Sequence, residues 1–570
     1  MSQETVSGAQ ALLRVFEEEN VDVFFGYPGG AVIPIYDALY DAENIRGVLP
    51  RHEQGAAHAA DAYARVTGKV GVCMATSGPG ACNLVTGLAT AYMDSVPMVA
   101  ITGQVKTNLV GMDSFQEADV TGITIPITKH NYLVKEPYQI ERFPDLVREA
   151  FYLAQNGRPG PVLIDIPFDV SAGPIAWAER NIKALDGYEE PQVPAEADID
   201  RAAELIETSE RPVIMIGGGV ASSDAHEEIR ELAEKCNISV VHTLMAKGCF
   251  PETHELSMGM PGMHGMSYAS YAIQNADLLI VIGARFDDRI TGDLSRFAPD
   301  ADVIHVDIDP AEIDKVRPAS VGIAADAKTA TAAINETVGR RERGEWEDHL
   351  KQFKTEHALA YSDEDELMAP QFVVEKLYEV TGGEAIITTE VGQNQMWAAQ
   401  YYPLEEPRRW CSSGGLGTMG YGHPAAVGAQ IGRPDDLVVD IAGDGSIQMC
   451  MQELTTGVIH NLPYKIIILN NSYLGMVRQW QDMFFNKRYS GVDLHGNPDF
   501  VKLAEAHGAV GLRCDERESV VETLEQAMEV EDRPVMVDFI VAKEENVFPM
   551  IPAGQSFDEI IECPIGDDTE

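Results

Sequence analysis

The sequence predicts an α/β protein of three domains, each built around a parallel sheet. Three observations predict it. The chain has 570 residues, too many for one hydrophobic core. β-Branched apolar runs alternate with helical patterns along its whole length. Two polar stretches interrupt that alternation: Tyr188-Glu189-Glu190-Pro191-Gln192-Val193-Pro194-Ala195-Glu196, and a charged segment from Arg340 to His349. Read as linkers, they leave domains at 1–187, 195–335 and 367–570.

In the first domain, Glu53 stands at a predicted strand end and opens a predicted helix over 55–66. A late strand, Arg158-Pro159-Gly160-Pro161-Val162-Leu163-Ile164-Asp165, has a counterpart in the third domain, Arg533-Pro534-Val535-Met536-Val537-Asp538. This is a weak internal repeat. Arg211-Pro212-Val213-Ile214-Met215-Ile216 opens the middle domain in the same way, so the pattern is also explained as ordinary punctuation before a strand. Within the middle domain, glycine-bearing segments follow apolar runs at Gly217-Gly218-Gly219, Gly262-Met263-His264-Gly265 and Gly283-Ala284-Arg285-Phe286-Asp287-Asp288-Arg289, and Asp307-Ile308-Asp309 does the same. Each alone is a weak signal.

The third domain carries the strongest one. An apolar run over 437–442 ends at Gly443-Asp444-Gly445, and a second over 464–469 ends at Asn470-Asn471, with room for a helix between them. In an open parallel sheet both strand ends reach the same rim, so Asp444 and Asn471 are expected to meet there. Two side-chain oxygens leave Mg²⁺ short of its six ligands, and diphosphate oxygens, a water and a backbone carbonyl would complete the octahedron. Gly443 and Gly445 let the backbone approach phosphates, and Ser446 can donate a hydrogen bond near the start of the helix. The plain alternative is a glycine turn and an Asx-turn at two strand ends.

Composition narrows the class. The opening twenty residues are acidic and helix-like, without a signal or transit pattern, and no apolar run approaches membrane-spanning length. The eight cysteines, at 73, 82, 236, 249, 411, 450, 514 and 563, form no CxxC pair, which argues for reduced thiols and a cytoplasmic location. Ninety acidic residues against 42 basic ones give a net charge of −48. Self-repulsion on that scale destabilises a compact state unless salt screens it. A halophilic enzyme is the expectation, an acidic mesophilic one the alternative. The same charge disfavours nucleic acid as a partner.

The spacing of Asp444 and Asn471 resembles the thiamine diphosphate signature of the decarboxylases and carboligases. RHEQGAAHAADAYAR (51–65), TSGPGA (76–81), SFQEADV (114–120), RPGPVLIDIP (158–167), GARFDDRITG (283–292), EVGQNQMWAAQ (390–400), SGGLGTMGYG (413–422) and NNSYLGMVRQW (470–480) look like the large catalytic subunits of acetolactate synthase. The likeness runs from about Ser7 to Gly554.

It implies a pyrimidine-binding, a central FAD-binding and a diphosphate-binding domain, in that order. It also implies an enzyme of branched-chain amino-acid biosynthesis that decarboxylates pyruvate and condenses the two-carbon remainder with a second pyruvate or with 2-ketobutyrate. Thiamine catalysis requires a carboxyl hydrogen-bonded to the pyrimidine ring, and low local dielectric strengthens that bond. Glu53 in HEQG is the residue the resemblance assigns; a helix-dipole role is what an isolated glutamate would have there. Since Glu53 and Asp444 lie in different domains, and the family assembles one site from two subunits, a homodimer or homotetramer is implied. A small regulatory subunit is a further implied partner.

By the same resemblance, Val391, Gly392, Gln393, Gly417, Met419, Gly475 and Met476 hold the thiamine cofactor, Met419 as an apolar wedge rather than core filler. Tyr473 lends its carbonyl to the metal. Gly30 in GYPGGA offers an N–H to a developing oxyanion, or is a plain turn glycine, and Gln116 bonds an intermediate, with Phe115 beside the substrate. Arg289 pairs the acceptor carboxylate and Trp480 packs its alkyl end; taken singly they would read as a surface ion pair and a core residue. The flavin is assigned Arg158, Gly217, Gly218, Gly219, Thr243, Leu244, Gly262, Met263, His264, Gly283, Ala284, Arg285, Asp287, Asp307, Ile308 and Asp326. With no net redox change, its role is structural. Lys106, where the family often has Pro, and Ala553, where Ser or Ala occurs, bear on inhibitor access. A flavin-dependent pyruvate oxidase and a simple 2-keto acid decarboxylase share much of this framework. An inactive nucleotide-binding scaffold is the reading of another class, opposed by the presence of Glu53, Asp444 and Asn471 together.

Overall fold

The computed structural model describes residues 4–178, 185, 188, 193–342, 344–361 and 368–563. It contains three parallel sheets and one small antiparallel pair, Glu4–Ser7 with Pro174–Trp177. The first sheet runs Arg46–Val48, Val23–Tyr27, Gly71–Ala75, Met98–Gln104, Pro161–Pro167, His130–Leu133 from edge to edge. The last runs Trp410–Cys411, Ile386–Thr389, Val438–Gly443, Lys465–Asn470, Val535–Ile540, Val510–Cys514. Numbered within each sheet, both follow the order 2-1-3-4-6-5. The RP-strands singled out in the sequence, Pro161–Pro167 and Val535–Ile540, are the sixth of each set, so the repeat coincides with equivalent positions. The middle strand of that pattern, Pro212–Ile216, is the first of its own sheet, and there the motif is only punctuation.

The middle sheet runs Ser239–His242, Pro212–Ile216, Leu278–Ile282, Asp302–Asp307, Val321–Ala324. Its inner strands Pro212–Ile216 and Leu278–Ile282 are buried on both faces, as parallel strands covered by helices must be. In all three sheets the order reverses between the first and third strands. Connections leave that point on opposite faces and open a crevice at the carboxyl ends.

The first and third domains are joined by the helices Glu53–Thr67 and Gly422–Gly432. Their facing positions are small: Ala59 and Ala62 against Ala425, Ala426 and Gly428, all buried. A side chain at Gly428 would collide with the Ala59 carbonyl, so glycine sets the approach. Asp61 closes the seam, accepting from Arg65 Nε and from the Tyr421 hydroxyl, each at 2.6 Å.

Two expectations change. The charged stretch at 340–349 is not wholly a linker: a helix, Glu345–Glu356, begins inside it, because Trp346, Leu350 and Phe353 form an apolar stripe against the core. Of the linker expected at 188–196, residues 189–192 lie outside the described residues, and Glu196 already opens a helix, Glu196–Thr208. The single helix expected after Asp444 is replaced by two short 3₁₀ turns, Ile447–Met449 and Met451–Glu453, and helix proper begins only at Leu454. Cys450, with φ −134°, breaks the run. Among the described residues no helix is long and apolar enough to cross a membrane.

Candidate active site

In the third sheet the switch point brings three chain segments together: Glu390-Val391-Gly392 after the first strand, Asp444 after the third and Asn471 after the fourth. The Asp444 side chain is buried, and desolvation pushes its carboxyl up to about 6. Asn497 Nδ2 donates to its Oδ2 at 2.6 Å, and Gln448 Nε2 donates to its main-chain carbonyl at 2.8 Å. A buried carboxylate without a cationic partner is costly, and a divalent cation would relieve that cost. Asn471 Oδ1 accepts the Tyr473 N–H at 3.1 Å, which leaves its second lone pair for a metal. The donor set of one carboxylate, one amide oxygen and nearby carbonyls is the hard-oxygen chemistry Mg²⁺ takes. The loop through 492–494 is pinned beside it by Leu474 N–H to Val492 O and Leu494 N–H to Ser472 O.

Some expected contacts differ here. Gln393 is turned into the wall: its amide donates to Gln479 Oε1 and the Glu545 carbonyl, and its oxygen accepts from Asn471 Nδ2 at 3.2 Å. It orients Asn471 instead of reaching toward a diphosphate. Gly475 is glycine because a Cβ would collide with that same Gln393 oxygen. Ser446 Oγ closes its own turn, accepting from Gly443 N–H and donating to Gly443 O, both at 3.2 Å. Gly445 has a packing reason as well, since a Cβ would meet Leu474 Cδ2 at 2.8 Å. Gly417 takes φ +70° and is exposed, and Met419 beside it is half-buried.

The first domain assembles a second group at its own switch point. Glu53 is the first residue of its helix, capped by His52, whose Nδ1 accepts the Gln54 N–H. Its carboxyl accepts from Asn83 Nδ2 at 2.9 Å. Gly80 lies against it, with a Cβ there 3.1 Å from Glu53 Oε1. Thr76 ties this turn to the first strand's end by accepting the Ala31 N–H, and at Gly30 a Cβ would meet open space. Gln116 has φ +58°, and its carbonyl packs where a Gly78 side chain would go, 2.7 Å away. Phe115, beside it, is 87 % exposed. The chain by itself therefore divides the expected site. Glu53, Gly30, Phe115 and Gln116 stand on the first domain, and neither they nor the third-domain pair Asp444 and Asn471 line the cavity shared by Arg289, Trp480 and the middle-domain turns.

That cavity, about 880 Å³, opens where the middle and third domains meet, with 93–95 and 155–159 of the first domain completing its wall. Arg158, the turn at 217–219, 243–244, 263–264, 283–285, Asp287, 307–308 and Asp326 all line it, together with Val391, Gly392, Gly417 and Met476. Its size and the glycine turns that line it suit a dinucleotide. Gly262 does not line it. With φ +100°, it packs on the Arg289 backbone and lets Met263 N–H bond the Arg289 carbonyl at 2.8 Å. Gly217 and Gly219 abut the backbone of Gly283, so they permit two strand-end turns to touch, while a Cβ at Gly218 would lie 3.3 Å from Met245 Cβ. Asp307 is buried, which raises its carboxyl, and Asp326 caps the Ala327–Thr337 helix. Arg158 lines the cavity but is already engaged, with Glu312 at 2.8 Å, Asp309 at 3.3 Å and Ser95 Oγ at 2.9 Å.

Arg289 and Trp480 come together at the same cavity. The Arg289 side chain is 61 % exposed, with the exposed Asp288 carboxylate at 3.5 Å, so the surface ion pair of the plain alternative is present in the single chain. Trp480 is half-buried and packs edge-on against Phe484, ring centroids 5.5 Å apart.

Asn497, Gln448 and Asn83 were not singled out in the sequence. Single amides in polar loops carry no local signal. Glu390 was also passed over as a site residue; wholly buried, it accepts from Gly420 and His423 N–H, and burial pushes it up to about 7.

Three family models match the chain: the N-terminal TPP binding domain of thiamine pyrophosphate enzymes over residues 6–123, their central domain over 199–334, and their C-terminal TPP binding domain over 390–539. An acetolactate synthase large subunit from Corynebacterium glutamicum is 52% identical over 98% of this chain and 90% of its own length. The acetolactate synthase isozyme 3 large subunit of Escherichia coli is 43% identical over 98% of both chains. A probable acetolactate synthase large subunit from Methanocaldococcus jannaschii is 46% identical over 98% of this chain and 95% of its own.

Proposed function

The chain belongs to the acetolactate synthases, thiamine pyrophosphate-dependent carboligases, and on that footing we propose that it joins a two-carbon unit from pyruvate to a second pyruvate or to 2-ketobutyrate, with Glu53 of one protomer serving the cofactor held by its partner. The observation that carries the assignment of roles is the meeting of buried Asp444 and Asn471 at neighbouring strand ends, in a chain that sets Glu53 on a different domain. Thiamine diphosphate, when bound, supplies the carbanion chemistry of decarboxylation and carboligation.

The chain's own residues do the rest. Asp444 and Asn471 hold Mg²⁺, with the Tyr473 carbonyl, and Asn497 and Gln393 orient those ligands. Glu53 presents its carboxyl to the pyrimidine ring, aimed by the Asn83 amide. Met419 and the Val391 and Gly417 backbone support the pyrimidine. Gly30 offers an unhindered N–H to developing negative charge, with Gln116 and Phe115 closing the substrate side. Arg289 receives the acceptor carboxylate, and Trp480 packs on its alkyl end. FAD fits the 880 Å³ cavity in a structural role, held by the middle-domain turns, with Asp307 toward a ribose hydroxyl.

A homodimer is the smallest unit that completes this site, and a small regulatory subunit is the expected further partner, as the relatives' designation as large subunits supports. The setting is cytoplasmic and saline. Product analysis with pyruvate, thiamine diphosphate, Mg²⁺ and FAD in high salt tests the whole reading. Anaerobic acetolactate supports it; acetaldehyde alone indicates a decarboxylase, oxygen-dependent acetate an oxidase, and no turnover a scaffold.

A further inference from the structure

Immediately before Glu53 the backbone of Arg51 and His52 is gripped by a carboxylate from another domain. Glu453 Oε1 accepts the N–H groups of Arg51 and His52, each at 3.0 Å, and Oε2 shares the Arg51 N–H at 3.0 Å. Thr456 donates its hydroxyl to Oε2 at 2.6 Å. Glu453 is 1% exposed, and burial pushes its carboxyl up to about 7 against hydrogen bonds that favour the charged form. These two N–H groups precede the helical turns that His52 already caps, so the contact fixes how the chain enters the helix. Gly55 makes the approach possible: a Cβ there would lie 2.6 Å from Glu453 Oε1 and 2.9 Å from its Cδ. The broken 3₁₀ path from Asp444, in place of a regular helix, is what delivers Glu453 to this point.

We infer that Glu453 is a positioning residue for Glu53: the segment that begins at Asp444 in the third domain fixes the backbone from which the first domain projects its carboxyl. Asn83 then fixes the other end of the Glu53 side chain. The inference rests on the reading of Glu53 as the group that faces the pyrimidine. One domain thus holds a metal ligand and, within the same chain, the aim of the acid that serves a cofactor elsewhere.

The test compares Glu453→Ala, the isosteric Glu453→Gln, Gly55→Ala and Glu53→Gln. In cofactor-free protein, hydrogen exchange of the peptide spanning 49–56 should accelerate at least tenfold in Glu453→Ala and Gly55→Ala, while the peptide over 438–446 is unchanged. In holoenzyme, kcat should fall at least tenfold with KM for pyruvate and the affinity for thiamine diphosphate within about twofold, and the double variant should be no worse than either single one. Glu453→Gln keeps one oxygen for both N–H groups and should recover most of the loss; it carries the test if the alanine variant does not fold. Unchanged exchange at 49–56, or accelerated exchange with full kcat, would overturn the inference while leaving an inactive Glu53→Gln to uphold the role of Glu53. Full turnover by Glu53→Gln would instead remove the reading on which it rests.

Discussion

Asn497 Nδ2 stands 2.6 Å from Asp444 Oδ2, and Gln448 bridges the two residues by donating to the Asn497 side-chain oxygen and the Asp444 carbonyl. The amide aims a carboxylate that burial alone would leave poorly disposed to ionise. Replacing Asn497 by Ala should raise the Mg²⁺ concentration needed for cofactor binding about 10–100-fold, the usual effect of losing a partner behind a metal ligand. Quenching of intrinsic fluorescence by thiamine diphosphate, titrated with Mg²⁺, measures it; an unchanged midpoint would remove Asn497 from the metal site.

Arg289 and Trp480 share a cavity wall, one cationic and one aromatic. Trp480→Leu should weaken the preference between 2-ketobutyrate and pyruvate as acceptor by about 10-fold, since hydrophobic discrimination of one methylene is worth ~1–3 kcal/mol. Decarboxylation should persist. The ratio of the two acetohydroxy acids formed in mixed substrate is the readout, and a constant ratio contradicts the assignment.

With a net charge of −48, assembly should depend on ionic strength. At molar salt the Debye length is about 3 Å, against about 30 Å at 0.01 M, so dialysis into dilute buffer should dissociate the oligomer and lower the melting temperature. Sedimentation at both salt levels decides this. Full activity and native mass after long dialysis would indicate a merely acidic enzyme.

Asp165 lies wholly inside the first sheet, accepting from Thr102 Oγ1 at 2.7 Å and Gln104 Nε2 at 2.9 Å, and burial pushes its carboxyl up to about 7. The folded state therefore keeps a proton that the unfolded chain releases near pH 4. Stability from this group is greatest at low pH and falls as pH rises toward 7, by up to ~1.4 kcal/mol per unit. Asp165→Asn, which cannot ionise, should lose that dependence. Denaturation midpoints of both proteins at pH 5 and 7.5, in constant molar salt, should show the wild type losing stability relative to Asp165→Asn as pH rises; parallel curves would mean Asp165 is ionised when folded.

The parallel sheets, their approximate strands and the pairing of Asp444 with Asn471 were legible because apolar periodicity and glycine turns are local properties. The repeat between 158–165 and 533–538 was legible only as a doubt. Its meaning came from strand order, which places both at the sixth position of sheets with the same topology. The helix expected after Asp444 was misread because propensity cannot register that Ser446 spends its hydroxyl on Gly443, or that the run must break to bring Glu453 across to Arg51.

By itself the sequence determined which atoms could do the chemistry: a carboxylate and an amide at two strand ends, an acid at a helix start, a cation and an indole. Tertiary structure decided which of them meet. It turned Gln393 onto Asn471, engaged Arg158 with Glu312, joined Arg289 to Trp480 across one cavity and left Glu53 on a separate domain. Those outcomes depend on contacts between residues far apart in the chain, and only the packing of three sheets at their switch points fixes such distances.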